Sequence, residues 1–123
     1  MTFFTVINCI DGRIQLPVIQ YLQQKYNVEF IDTITEAGPN LILAKNVETN
    51  IIQSIYKKLD ISFDNHKSKG LAIVGHYGCV GNPAPKNGQI EHILNAIQFI
   101  QNKYSEKKTI GLWVDQKFEV HEV

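Results

Sequence analysis

Cysteine is scarce in this chain of 123 residues: there are two, Cys9 and Cys79. That is too few for the bridged framework that staples small secreted domains. Because the opening residues Thr2 to Ile7 read as core strand and not as a leader, free thiols in a reducing, cytoplasmic compartment are expected. Excess charge is missing too. Twelve Lys and Arg stand against twelve Asp and Glu, for a formal net charge of +0. Neither the basic footprint of a nucleic-acid binder nor an acidic tail is present, so the expected partners exclude nucleic acid. No apolar run reaches the length of a membrane span, which excludes a membrane partner as well. Internal repeats and low-complexity stretches are also absent. What remains fits a single domain over residues 1–123, long enough to bury one core.

Phe3 to Ile10 is an unbroken apolar run rich in β-branched and aromatic residues, which predicts a strand buried on both faces. Ile14, Val18, Ile19 and Leu22 recur at helical spacing, with Pro17 suited to a first helical turn. Val28 to Thr33 predicts a second strand, and Glu36 to Asn40 a break. A long helix follows with Ala44, Val47, Ile51, Ile55 and Leu59 as its stripe, then a polar loop from Asp60 to Lys69. Leu71 to Val74 predicts strand three, and Val80 to Pro85 an irregular segment. The next helix runs from about Gly88 to Tyr104, with Ile90, Ile93, Leu94, Ile97 and Ile100 inward. Thr109 to Val114 and a short Phe118 to Val123 complete the strands. Strands alternating with helices predict an α/β fold: a mostly parallel sheet of four strands in the order 2-1-3-4, plus the short last strand, with helices on both faces.

His76 and Cys79 stand three positions apart just past strand three, and Cys9 ends strand one, followed by Asp11 and Arg13. One imidazole nitrogen and two thiolates make three tetrahedral ligands for Zn2+ and leave a fourth position open for chemistry. A structural zinc would need a fourth Cys or His, yet His66, His92 and His121 do not stand at ligand spacing from either cluster. Taken singly, each cysteine reads as a buried small hydrophobe and His76 as a loop residue. Together, beside a carboxylate and an arginine, they favour a metal site. The strand order supports this, because ligands of such sheets bind where the order reverses, between strands one and three. That reversal would bring Cys9 to His76 although 66 residues lie between them.

Cys9-Ile10-Asp11-Gly12-Arg13 and His76-Tyr77-Gly78-Cys79 resemble the paired signature of the β-class carbonic anhydrases, Cys-x-Asp-x-Arg and His-x-x-Cys. Glu36 to Asn40 is similar to that family's Asn-Ala-Gly-Asn loop, and Ile110 to Asp115 to its last core strand. The resemblance implies that Cys9, His76 and Cys79 bind a catalytic zinc and that Asp11 and Arg13 form a catalytic dyad beside it. It implies reversible hydration of carbon dioxide to bicarbonate by zinc-bound hydroxide, a lyase activity, with His66, His92 or a buffer molecule carrying the proton away. Two other functions are open: hydrolysis of an analogue such as carbonyl sulfide or carbon disulfide, and a catalytically silent zinc-binding module. The family's N-terminal helical arm has no counterpart ahead of strand one, and Val80 stands where the family often has Gly. A homodimer formed without that arm is the expected assembly.

Overall fold

Five strands form one sheet in a computed structural model of the protein that describes residues 1–123. β1 (Phe3–Cys9), β2 (Phe30–Glu36), β3 (Gly70–His76) and β4 (Lys108–Val114) run parallel, and β5 (Val120–Glu122) lies antiparallel to β4. The order is β2-β1-β3-β4-β5. It agrees with the predicted 2-1-3-4 order and places the short last strand at the edge. The central strands are buried almost throughout, which is why they read as continuous apolar runs and not as alternation.

Side chains still divide by the two-residue period of a strand. Phe4, Val6, Ala72, Val74, Leu112 and Val114 face one side, where α1 (Gln15–Tyr26) covers them with Ile14, Val18 and Leu22. Ile7, Ile34, Leu71 and Ile73 face the other side, against Leu43 of α2 (Pro39–Lys45), Ile55 and Leu59 of α3 (Thr49–Asp60), and Ala96 and Ile100 of α4 (Lys86–Gln101). None of these helices is long and apolar enough to cross a membrane.

Several element boundaries differ from the sequence reading, each for a local reason. The expected long helix is two: Asn46 adopts a left-handed conformation (φ 46°) and its N–H caps α2 on the Ile42 carbonyl at 2.9 Å. Val47, expected in the stripe, therefore falls in the linker and is exposed, while Ile52, Ile55 and Leu59 keep the stripe of α3. The supposed polar loop after α3 opens with a wide helical turn, Ile61–Asn65, which turns Ser62 and Phe63 into the core. Strand two begins at Phe30 and not at Val28, because the chain there still caps α1: Val28 N–H bonds the Gln23 carbonyl at 3.3 Å. Helix α4 buries Gln89, Ile93, Ala96 and Ile100, leaving Leu94 exposed; the Gln89 amide can be buried because it finds partners inside the protein. Phe118 lies outside β5 with a positive φ of 63°.

Ile55 is fully buried at the meeting of α3 with the sheet. Ile55→Ala should destabilise the fold by about 2–5 kcal/mol, read as a lower denaturant midpoint with an unchanged slope.

Candidate metal centre

Cys9 is the last residue of β1 and His76 the last of β3, neighbouring parallel strands with Ile7 opposite Ile73. The sheet therefore delivers both side chains to its carboxyl end at the point where strand order reverses. Cys79 follows on a tight turn that needs Gly78 at a positive φ of 70°. All three residues are buried, and their ligand atoms lie within 4.8 Å of one another. The two sulfurs are 3.8 Å apart. Two sulfurs each about 2.3 Å from a tetrahedral zinc would be separated by about 3.8 Å, so the spacing matches.

Histidine chemistry gives a second test of fit. His76 Nδ1 lies 2.9 Å from the Tyr77 carbonyl, which can only accept, so Nδ1 carries the proton. Nε2 is thereby a bare lone pair, buried and without any hydrogen-bond partner. Such an orphaned acceptor costs about 1–3 kcal/mol, and a metal ion among Nε2 and the two sulfurs would satisfy it.

The thiols are poised unequally. Burial pushes the Cys9 thiol up, but hydrogen bonds from its surroundings, main-chain N–H groups of Gly38 and Asp11 among them, outweigh it and bring the thiol down to about 7. Burial pushes the Cys79 thiol up, the neighbouring Cys9 adds to this, and the Asn82 N–H offsets only part. One thiolate and one thiol would meet an incoming metal, which displaces the remaining proton.

Asp11 and Arg13 form a fork at the edge of this group. Arg13 Nη2 donates to Asp11 Oδ2 at 2.6 Å and Nε to Oδ1 at 3.0 Å. The Arg13 main-chain N–H also donates to Oδ1 at 3.0 Å, so the same carboxylate caps the 3-10 turn Gly12–Ile14. Arg13 Nη2 reaches the Gly78 carbonyl at 3.5 Å, tying the pair to the turn that carries Cys79. The Arg13 hydrogen bond holds the Asp11 carboxyl well below the usual carboxylate range, at about 2. Its contribution to stability is present above the ordinary carboxylate range and disappears as pH falls through about 2. Because the guanidinium is more than half exposed, solvent screening keeps that contribution small.

The five residues singled out from sequence are thus brought to one end of the sheet. Gln15, which the sequence reading passed over, holds the Cys9–Asp11 turn by donating to the Cys9 carbonyl at 2.6 Å and the Asp11 carbonyl at 3.0 Å. Asn40 closes the stretch likened to the family's Asn-Ala-Gly-Asn loop, whereas Asn82 and Gln89 carry no local signal beyond an amide at an inward helical position for Gln89. His92 stands beside them, with Nδ1 3.0 Å from Asn82 Nδ2. His66 is far away: it pairs with Asp32 at 2.6 Å and stacks on Phe3, the first residue of β1, whereas Cys9 is the last. Asp115, Glu119 and His121 make another cluster of possible donors. Both Asp115 oxygens there serve the turn into β5, through Lys117 N–H, Glu119 N–H and His121 Nε2.

Fold and site together define a class: an α/β protein with a Cys-His-Cys group and a guanidinium-held carboxylate at the switch point of a parallel sheet. Over residues 1–123 the chain matches the family described as "Putative carbonic anhydrase", and it belongs to that family. Among solved structures it is similar to a tetrameric β-carbonic anhydrase of the filamentous ascomycete Sordaria macrospora, with a TM-score of 0.62 over 98% of this chain and 79% of that one. Sequence identity is 10%, so this likeness is one of fold. A search of curated proteins finds no match.

Two thiols and a neutral imidazole predict how a metal binds. The protein should take up about one zinc per chain, and Cys79→Ala should lose it. Affinity should fall as pH drops, by about tenfold per unit for each thiol proton displaced, with a steeper fall below about 7, where Cys9 also holds its proton. Chelator competition across pH measures both; zinc binding independent of pH would contradict the ligand set.

Proposed function

We propose that this protein is a zinc-dependent carbonic anhydrase, a lyase that interconverts carbon dioxide and bicarbonate with residues 1–123 acting as one domain. The observation that carries the reading is the orphaned His76 Nε2 buried against two thiols, with the Asp11–Arg13 fork beside it. Family membership supports carbon dioxide chemistry in general. Cys9, His76 and Cys79 would hold the ion. When bound, zinc supplies a Lewis acid that brings the pKa of a water down to about 7.

The remaining work falls to the chain's own residues. Asp11 is ionised throughout the working range; Oδ1 already takes the Arg13 main-chain N–H and Nε, so Oδ2 is the oxygen that can accept a further hydrogen bond. It accepts the hydrogen of the attacking water and so turns a lone pair toward the carbon of the substrate. Arg13 keeps the carboxylate in that role with a bidentate clamp, which a lysine point charge cannot reproduce. Left unclamped, a carboxylate two residues from Cys9 is free to swing onto the open metal position. A zinc-binding module without activity has no use for this ordered pair. His92, linked to the site through Asn82, is better placed than His66 to relay a proton.

Exposure around the site argues for a second copy of the chain. Each buried ligand is followed by an exposed apolar residue: Ile10 after Cys9, Tyr77 after His76 and Val80 after Cys79. An open cleft of about 520 Å³ continues this surface along Ala37, Leu41, Val47, Ile51 and Gly81. A homodimer that covers this rim removes the apolar surface from water. Free buried thiols suit a reducing, cytoplasmic setting.

Zinc-loaded protein should accelerate carbon dioxide hydration in stopped flow, and full loading without activity would refute the proposal. Arg13→Ala should keep its zinc and lose about 10²-fold or more of the rate, the scale of misplacing a reacting group, while Arg13→Lys recovers only part. Wild-type turnover in zinc-loaded Arg13→Ala would remove the dyad from the mechanism. Light scattering should give twice the 14.0 kDa chain mass, and Val80→Glu should shift the protein toward monomer; a monomeric wild type at micromolar concentration refutes the dimer.

A further inference from the structure

Asn40, Asn82 and Gln89 are each 1% exposed, although they come from three separate segments: the start of α2, the loop after Cys79 and the first turn of α4. Buried amides without partners are costly, and these serve one another. Asn40 Nδ2 donates to Gln89 Oε1 at 2.8 Å, Asn82 Nδ2 to Asn40 Oδ1 at 3.2 Å, and Gln89 Nε2 to the Asn82 carbonyl at 2.6 Å. Asn82 Nδ2 also reaches His92 Nδ1 at 3.0 Å, and Asn82 Oδ1 accepts from the Ala84 N–H at 3.3 Å. The closed set grips residue 82 by both its side chain and its carbonyl. The one main-chain group left over, the Asn82 N–H, points at Cys79 Sγ from 3.3 Å.

Glycines clear the space for this arrangement. A Cβ on Gly75 would lie 2.7 Å from Gln89 Oε1 and 2.8 Å from Asn40 Nδ2. A Cβ on Gly81 would lie 2.5 Å from the Ala37 carbonyl carbon, so the loop rests main chain against main chain on the Ala37–Gly38 turn. Packing alone does not call for such a network, because apolar side chains of the same shape would join helix, loop and sheet equally well. Besides His92, the chemically active atom it reaches is the Cys79 sulfur.

We infer that Asn40, Asn82 and Gln89 form a positioning unit for Cys79, holding the Asn82 N–H on its sulfur and so setting how strongly that thiolate donates to a metal. The inference rests on the zinc reading above and concerns the ligand's outer partners, which orient ligands and tune their donor strength. An N–H···S bond draws density from the sulfur. Losing it leaves a more electron-rich and less well oriented thiolate. His92 closes the unit as an acceptor through Nδ1.

Cobalt(II) in place of zinc reports this directly, because its thiolate-to-metal charge-transfer band moves to longer wavelength when the sulfur loses a hydrogen bond. Gln89→Met removes both side-chain bonds of position 89 at similar volume. It should shift the band to longer wavelength and weaken zinc in chelator competition by about 10–100-fold, with an unchanged far-UV spectrum. Ile93→Val, in the same helix and also against Gly75, trims the packing without touching an amide and should leave the band in place. If Gln89→Met does not fold, Asn82→Ala keeps the main-chain N–H, loses its side-chain anchors and should show the same shift. Folded variants with an unshifted band and wild-type zinc affinity would overturn the inference alone. Wild-type protein that takes up neither cobalt nor zinc would overturn the metal reading, and this inference with it.

Discussion

Parallel pairing of β1 with β3, with Ile7 opposite Ile73, ends both strands at the same margin of the sheet and so sets Cys9 beside His76. A slip of one residue in either strand would turn its ligand to the opposite face, and the apolar rows above and below oppose such a slip. The metal centre is therefore anchored by the hydrophobic core: Phe4 and Val6 on one face, Ile7 and Ile73 on the other, hold the register on which the ligand atoms depend. Cys79 relies less on pairing, since it sits in the turn that Gly78 permits and the buried amides of α2 and α4 brace.

The group assembled there is polarised before any metal arrives. One thiol is pulled down by main-chain donors while its partner is pushed up by burial, and His76 is held in one tautomer by the Tyr77 carbonyl. Beside them Asp11 is kept charged by Arg13. On the proposed function the arrangement separates two tasks: buried soft ligands for the ion, and a mostly buried hard carboxylate as hydrogen-bond acceptor. Mixing them is the hazard, because a carboxylate so near can also bind metal. The fork from Arg13, itself tied to the Gly78 carbonyl, is the device that keeps them apart.

Each of the three buried ligands is followed by an exposed apolar residue. On the proposed function this juxtaposition would link assembly to activity. Whatever covers Ile10, Tyr77 and Val80 also shapes the approach to the site, and a small uncharged substrate is the kind that an apolar rim admits.

Sequence alone determined the strand order and singled out the five residues that the sheet gathers at one end, because both are written in local signals. Unbroken apolar runs mark buried parallel strands, helical patterns between them force crossovers, and the two Cys- and His-bearing motifs stand at strand ends. The short range of those signals also explains the errors. Val47 belonged to a helical stripe by spacing, but the left-handed Asn46 interrupts the helix just before it; Leu94 fitted the inner face of α4, but Gln89 takes it. Only the tertiary structure could decide that Asn40, Asn82 and Gln89 form one network, since amides are ordinary surface residues until partners from distant segments bury them. It also decided which histidine approaches the site. His66 and His92 look alike in sequence, and the parallel sheet sends one to its amino end and the other toward Cys79, because the direction of a strand is a property of the whole sheet and not of any one segment.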